Sequence, residues 1–185
     1  MNTYIHPTAI VDTKKIGDGS NVWAFVHVLG GAKIGKNANI CDHCFIENDV
    51  SIGDDVTIKC GVYIWDGVAI GNKVFVGPSV TFTNDLHPRS KNINYDKKET
   101  VLMEGCSIGA NSTILAGLKI GKYAMVGAGS VVTKDVGDYE LVYGNPAVHK
   151  GYVCKCGEKL EFNNGEADCK CGLCYKKEND LVLIK

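Results

Sequence analysis

The stretch IGKNANICDHCFIENDVSIGDDVTIKCGVYI, residues 34–64, carries an isoleucine at every sixth position: Ile34, Ile40, Ile46, Ile52, Ile58 and Ile64. Working outward, Ile10, Ile16, Val22 and Val28 keep the phase on one side, and Ile70, Val76 and Phe82 on the other, thirteen apolar residues in succession. A second, smaller series stands four residues after the first: Ser20, Val26, Ala32, Ala38, Cys44, Val50, Val56, Val62, Val68, Val74 and Val80. A helix would repeat its apolar residues about every 3.6 positions and a half-buried strand about every 2. Period six fits neither. It describes short strands with a turn every sixth residue, the branched side chain pointing inward and the small one filling the corner. Gly, Asn or Asp would take the positive φ of the turn. One rung cannot bury its apolar face alone, so rungs stack into a parallel β-solenoid. A sandwich of short strands would space its turns more widely and less regularly.

The totals agree with such a chain. Of 185 residues 45% are hydrophobic, enough for a packed domain with a small appendage, and 22 Gly against 4 Pro suits many tight turns. The net charge of -1, with mixed signs, argues against a nucleic-acid groove or a polybasic membrane patch. No apolar run approaches the ~20 residues of a membrane span. The start, MNTYIHPTAI, lacks a basic segment followed by an apolar one. Nine cysteines without a secretion signal lead us to expect a reducing cytoplasm.

The beat stops after Phe82 and resumes at Ile108, Ile114, Ile120, Val126 and Val132, with Ser112, Leu118, Ala124, Ser130 and Val136 in the second series. This predicts four coils over residues 10–81 and nearly two over 108–137, divided by a loop from Thr83 to Ser107. A long unrepetitive loop in a compact domain is usually functional. This one carries Asn84, Asp85, His87, Arg89 and Tyr95.

Thirteen beats in phase make the chain resemble the hexapeptide-repeat acyltransferases over roughly residues 5–148. The resemblance implies an all-β fold, a left-handed parallel β-helix of triangular coils, assembled as a homotrimer in which the loop reaches a neighbouring subunit. GPSVTFTNDLHPRS (77–90), YIHPTAIVD (4–12), WAFVHVLGGAKIG (23–35) and LVYGNPAVHKGYV (141–153) are similar to stretches of the nucleotide-sugar 3-N-acetyltransferases. Those enzymes acetylate an amino group on UDP- or dTDP-linked sugars for surface polysaccharides, with acetyl-CoA as donor.

That chemistry makes demands. The sugar ammonium must lose a proton before attacking the thioester, and the oxyanion needs a donor. The resemblance makes Asn84 and Asp85 the candidates for gripping the amino sugar. His87 is the candidate base in the loop, although some relatives leave the last proton to the departing thiolate. His27 precedes the Val28 beat and so faces outward, where a cleft between subunits could lie. Arg89 has the fork geometry to pair with a phosphate or carboxylate. In YAMVGAGSVVTKDV (123–136), small Gly127 and Ala128 would let the pantetheine arm lie close, and Lys134 would meet a coenzyme phosphate. No strand–GxGxxG–helix context is present, which argues against hydride transfer.

After Val148 the period is lost. CKCGEKL at Cys154 is echoed by CKCGLCY at Cys169, two C-x-C-G turns resembling paired zinc knuckles. Cys154, Cys156, Cys169 and Cys171 would supply four thiolates to a structural zinc ion, with Cys174 as a competing ligand. Residues 149–185 would thus form a Cys-rich, zinc-ribbon-like tail behind a β-helix domain of residues 1–148. A segment this short needs such a staple to fold. Cys41 and Cys44 have the spacing of a metal half-site, but a coil should aim them apart. Two other functions share the architecture. A trimeric zinc carbonic anhydrase needs converging histidines, yet His43 falls short of one full coil from His27. A non-catalytic scaffold would not need a polar loop.

Overall fold

The computed structural model describes residues 2–92, 94, 96–178 and 181–184, the last stretch as backbone only; Tyr95 lies outside the described residues. The described residues contain no helix and are built into short strands. Each coil adds one strand to each of three sheets, of ten, seven and five strands, in which the solenoid strands pair in parallel. In the central coils the partner lies three hexapeptides along the chain: Asn39 pairs with Thr57, Phe45 with Tyr63 and Ser51 with Ala69. Backbone N–H groups donate in both directions, to the next rung as from Asn39 to Val56 O (2.8 Å) and Gly35 to Ile52 O (2.8 Å), and to the preceding one as from Asn37 to Asp18 O (3.0 Å).

The two apolar series form one continuous core. Ile40, Ile46, Ile58 and Ile64 are fully buried, and Ala32, Ala38, Val56 and Val62 fill the corners beside them. Burying each large side chain is worth about 1.5–3 kcal/mol, so the stack is held mainly by this column. Buried Ser20 and Ser112 substitute for apolar corner residues by donating to Gly35 O (2.8 Å) and Gly127 O (3.0 Å).

Three expectations need correcting. The first beat is not Ile10. Val11 pairs with the inward Val28, one position short of a full coil, and Ile10 is left 57% exposed. Side chains alternate faces along a strand, so a slip by a single position turns Ile10 outward. The repeat also resumes earlier than Ile108. Strand Thr100–Leu102 lies between Val68–Ile70 and Lys119–Ile120, with Leu102 in the core and Thr100 in the corner. Leucine and threonine fill the places of a branched and a small apolar residue, which hid the rung. Val76 therefore pairs with Ile108, well beyond one regular coil, and the whole excess lies between Thr83 and Thr100. Third, the turn's positive φ is taken by Asn37, Asp55 and Gly61 but is not confined to Gly, Asn and Asp, and the glycine that often follows a beat serves another end. A Cβ on Gly35 would lie 2.5 Å from the Gly53 carbonyl carbon, so that column needs room between coils. The positive φ falls two positions later, on side chains as large as Phe25, His43 and Tyr123.

Beyond the last coil, Glu140–Gly144 and Ala147–Val153 form an antiparallel hairpin that extends the ten-stranded sheet across the point where the composition changes. A second apolar cluster follows, centred on Tyr152, Cys154, Leu160, Ala167 and Tyr175.

Candidate active site and cysteine cluster

The insertion leaves the solenoid at Thr83 and returns at Thr100, and both roots are pinned. Thr83 Oγ1 accepts from Ala116 N (2.9 Å), Thr100 Oγ1 accepts from Gly117 N (3.0 Å), and Lys97 pairs with Asp49. Between the roots Asn84 and Asp85 are half-buried, whereas His87 and Arg89 are exposed. Asp85 Oδ1 accepts the His87 backbone N–H (2.7 Å), a turn that fixes the carboxylate. The Arg89 guanidinium donates to the Pro88 carbonyl (2.8 Å). Asp85, His87, Asn92, Asn94, Asp96 and Lys98 line a cleft of about 350 Å³.

His27 is elsewhere. It faces outward from the seven-stranded sheet, three strands from Thr81–Phe82, a separation of roughly 14 Å. Its Nε2 lies 3.7 Å from Asp12 Oδ2, and its ring meets Phe45 edge-on at 5.6 Å. It belongs to an aromatic face. Phe25 (59% exposed) stacks on His43, Tyr63 is 51% exposed, and Trp65 packs against both Phe45 and Tyr63. Trp65 Nε1 donates to Phe82 O (3.0 Å), so this face runs to the root of the loop. Sequence reasoning misses Trp65, and only its outward phase directly after Ile64 could have pointed to it.

The coenzyme candidates are also divided. Gly127 sits under the next strand, where a Cβ would come 2.7 Å from Tyr143 Cβ, and its carbonyl accepts from Ser130 Oγ (2.5 Å). Exposed Ala128 lies with its backbone over Gly109. Both have a packing role. Lys134 instead lines a cleft of about 300 Å³ with Pro146, Val148 and His149 from the terminal hairpin. His149 Nδ1 stands 2.7 Å from Glu140 Oε1, and Glu140 Oε2 accepts from Gly137 N (2.6 Å), a pairing the sequence does not reveal.

In the tail, Cys154, Cys156, Cys169 and Cys171 place their sulfurs within 4.8 Å of one another, and Cys174 stands outside the group. The two turns match: Gly157 N donates to Cys154 O (2.8 Å) and Gly172 N to Cys169 O (2.9 Å). Burial works against the Cys154 thiolate, but the Cys156 backbone N–H and the Tyr175 hydroxyl outweigh it and bring the thiol down to about 6. At Cys169 the Cys171 backbone N–H favours the thiolate, yet burial and ties to Cys154 and Cys156 oppose it and push the thiol up to about 12. Four sulfurs this close cannot all ionise unless a cation takes up the charge. Sulfurs bound ~2.3 Å from a tetrahedral zinc stand ~3.8 Å apart, near the 3.4 Å of Cys154–Cys171 and the 3.5 Å of Cys156–Cys169. The donor set and its spacing fit a tetrathiolate metal centre. Elsewhere Cys44 and Cys106 are buried in the core, and Cys44 Sγ donates to Lys59 O (3.2 Å).

A parallel solenoid of hexapeptide coils broken by one polar loop is an architecture that several functions share, and comparison with known proteins decides the class. The bacterial transferase hexapeptide (six repeats) family matches residues 13–48, 49–84 and 99–134, skipping most of the loop, and the chain belongs to that family. More particularly, it is 60% identical over 97% of its length, and 93% of the relative's, to the dTDP-3-amino-3,6-dideoxy-alpha-D-galactopyranose 3-N-acetyltransferase of Aneurinibacillus thermoaerophilus. A hexapeptide-repeat acetyltransferase of Vibrio cholerae, solved with acetyl coenzyme A, shares 32% identity over 66% of this chain and 70% of its own, with a TM-score of 0.58. An N-acyltransferase from Bacillus cereus, at 20% identity over 81% of this chain and 83% of its own and a TM-score of 0.59, shares the fold. The protein is an acetyltransferase of the hexapeptide class.

Proposed function

We propose that this enzyme moves the acetyl group of acetyl-CoA to the 3-amino group of a dTDP-linked 3-amino-3,6-dideoxyhexose. The observation that carries the reading is the 60% identity, sustained over nearly the whole of both chains, to an enzyme of that name. In the reading, the half-buried Asp85 offers Oδ2 to the sugar's amine, because Oδ1 is engaged by the His87 N–H. Asn84 holds the sugar beside it. The amine attacks the thioester carbonyl, the tetrahedral oxyanion is met by a backbone N–H, and coenzyme A leaves as a thiolate that takes up the surplus proton. His87, exposed on the loop, is the side-chain base if one is needed; Arg89 meets a phosphate of the nucleotide. Lys134 and the terminal hairpin hold the coenzyme's phosphates.

The reading includes a homotrimer, in which a neighbour covers the aromatic face and the loop of one subunit meets His27 of another. Exposed Phe25 and Tyr63 with half-buried Phe45 and Trp65 between them, and exposed Ile10 beyond, have the composition of an interface core. It also gives the tail a structural zinc ion on Cys154, Cys156, Cys169 and Cys171, and places the enzyme in the cytoplasm. Among the described residues no helix is long and apolar enough to cross a membrane.

The test is incubation with acetyl-CoA and a panel of dTDP- and UDP-linked 3-amino and 4-amino sugars, read by mass spectrometry. One acetyl gained on a dTDP-3-amino sugar is the expected result. Acetylation confined to UDP-linked or 4-amino sugars would overturn the substrate assignment.

A further inference from the structure

The cysteine cluster is tied to the solenoid by a row of tyrosines that neither the repeat nor the transfer chemistry explains. Gly105 turns a coil corner with φ +70°, and a Cβ there would run into the Tyr123 ring, so the ring rests on the corner. One coil on, Tyr139 stacks on Tyr123 with centroids 5.6 Å apart and planes at 15°. Tyr175 meets Tyr139 edge-on at 5.7 Å and is fully buried. The Tyr175 hydroxyl donates to Cys154 Sγ (3.1 Å) and accepts from Lys155 N (3.0 Å). Lys155 folds back with Nζ 4.9 Å from the Tyr123 ring centre, and Val153 N donates to Tyr139 O (2.8 Å).

We propose that the metal-bound ribbon is clamped onto the last coils by the ladder Tyr123–Tyr139–Tyr175, with Tyr175 the positioning residue that couples Cys154 to it. A phenol hydroxyl inside an apolar cluster needs a partner. Here it takes the one thiolate buried on the solenoid side, leaving Cys156 and Cys171 toward solvent. A tetrathiolate around a divalent ion keeps two net negative charges, and hydrogen bonds to the sulfurs stabilise them and fix their orientation. The strand Glu140–Gly144 begins right after Tyr139, so the clamp also holds the hairpin bearing Glu140 and His149. The inference rests on the zinc assignment and not on the acetyl-transfer reading.

The experiment uses the full chain. Elemental analysis of native protein should find one zinc per chain, retained by Cys174→Ser and lost in Cys154→Ser. Chelation should raise hydrogen exchange in Met125–Val126, Glu140–Gly144 and Ala147–Val153 while Asn39–Ile40 and Thr57–Ile58 stay protected. Tyr175→Phe, which keeps the ring, should still bind one zinc but yield it to a competing chelator about 10-fold more readily. In the cobalt-substituted protein the same change should shift the sulfur-to-cobalt charge-transfer band. A native chain with no zinc, or with these cysteines in disulfides, overturns the zinc assignment and the clamp with it. One zinc per chain, with Tyr175→Phe holding metal as tightly as native and chelation leaving the hairpin protected, overturns the clamp alone.

Discussion

Excising residues 84–97 separates the loop's role in the solenoid from its role in the reaction. Phe82 and Leu102 would then stand one hexapeptide apart, joined by Thr83, Lys98, Glu99, Thr100 and Val101. The regular beat is restored, with Thr100 already in its corner and Thr83 already bonded to Ala116 N. Glu99 would fall at the positive-φ position, so it is changed to Gly in the same variant. Closing the shorter connection lowers the loop entropy cost by about 1 kcal/mol. Against this stands the exposed Lys97–Asp49 pair, worth at most about 1 kcal/mol. The variant should thus unfold within about 1 kcal/mol of the native chain, a Tm shift of no more than ~2–4 °C, while acetyl transfer falls below detection. Thermal unfolding followed by circular dichroism and the mass-spectrometric transfer assay check the two halves. A variant that no longer folds would mean that the loop braces the coils. Full transfer by a folded variant would place the substrate site elsewhere.

Asn84→Ala and Asp85→Ala should each lower kcat/KM by at least about 10-fold with unfolding unchanged; native turnover in both would remove them from the site. Gly53→Ala would drive a Cβ into Asn72 Oδ1 and to within 2.8 Å of the Asn72 backbone nitrogen. Its cost should be about 1–3 kcal/mol, read as a lower denaturant midpoint. Phe45→Glu with Tyr63→Glu should shift the gel-filtration mass from three chains to one, and an unchanged mass would show that this face is not the interface. Burial pushes the Cys106 thiol from 9.0 up to about 12. The folded state therefore favours the neutral thiol, a contribution complete below about pH 9 and lost as pH rises toward 12. Native protein should resist alkylation at Cys106 near pH 8.5, and Cys106→Ala should flatten the fall in stability above pH 9; rapid labelling of the native chain would contradict the burial.

What was legible in the sequence was what the solenoid repeats. Ile34 to Ile64 can be read because each rung demands the same volume at the same place, and a slip by a single position would expose the entire column. The reading failed where that demand relaxes. Ile10 lies at the end of the stack, with no rung beneath to hold its phase. Leu102 and Thr100 satisfy the packing with the wrong residue types. The duplicated C-x-C-G turns survive in the sequence because each pair of thiolates is held by one local turn, whereas Tyr123, Tyr139 and Tyr175 share no spacing. They meet only after the coils have wound and the tail has folded back. The candidate active site has the same character: its polar loop announces itself by breaking the period, but His27 stands three strands from Thr81–Phe82, on a face left open in the single chain. A solenoid of identical rungs offers little to tell one ligand from another, so specificity falls to what interrupts the repeat and, in the proposed trimer, to the surface of a second copy. Only the interruption is written in one chain's sequence.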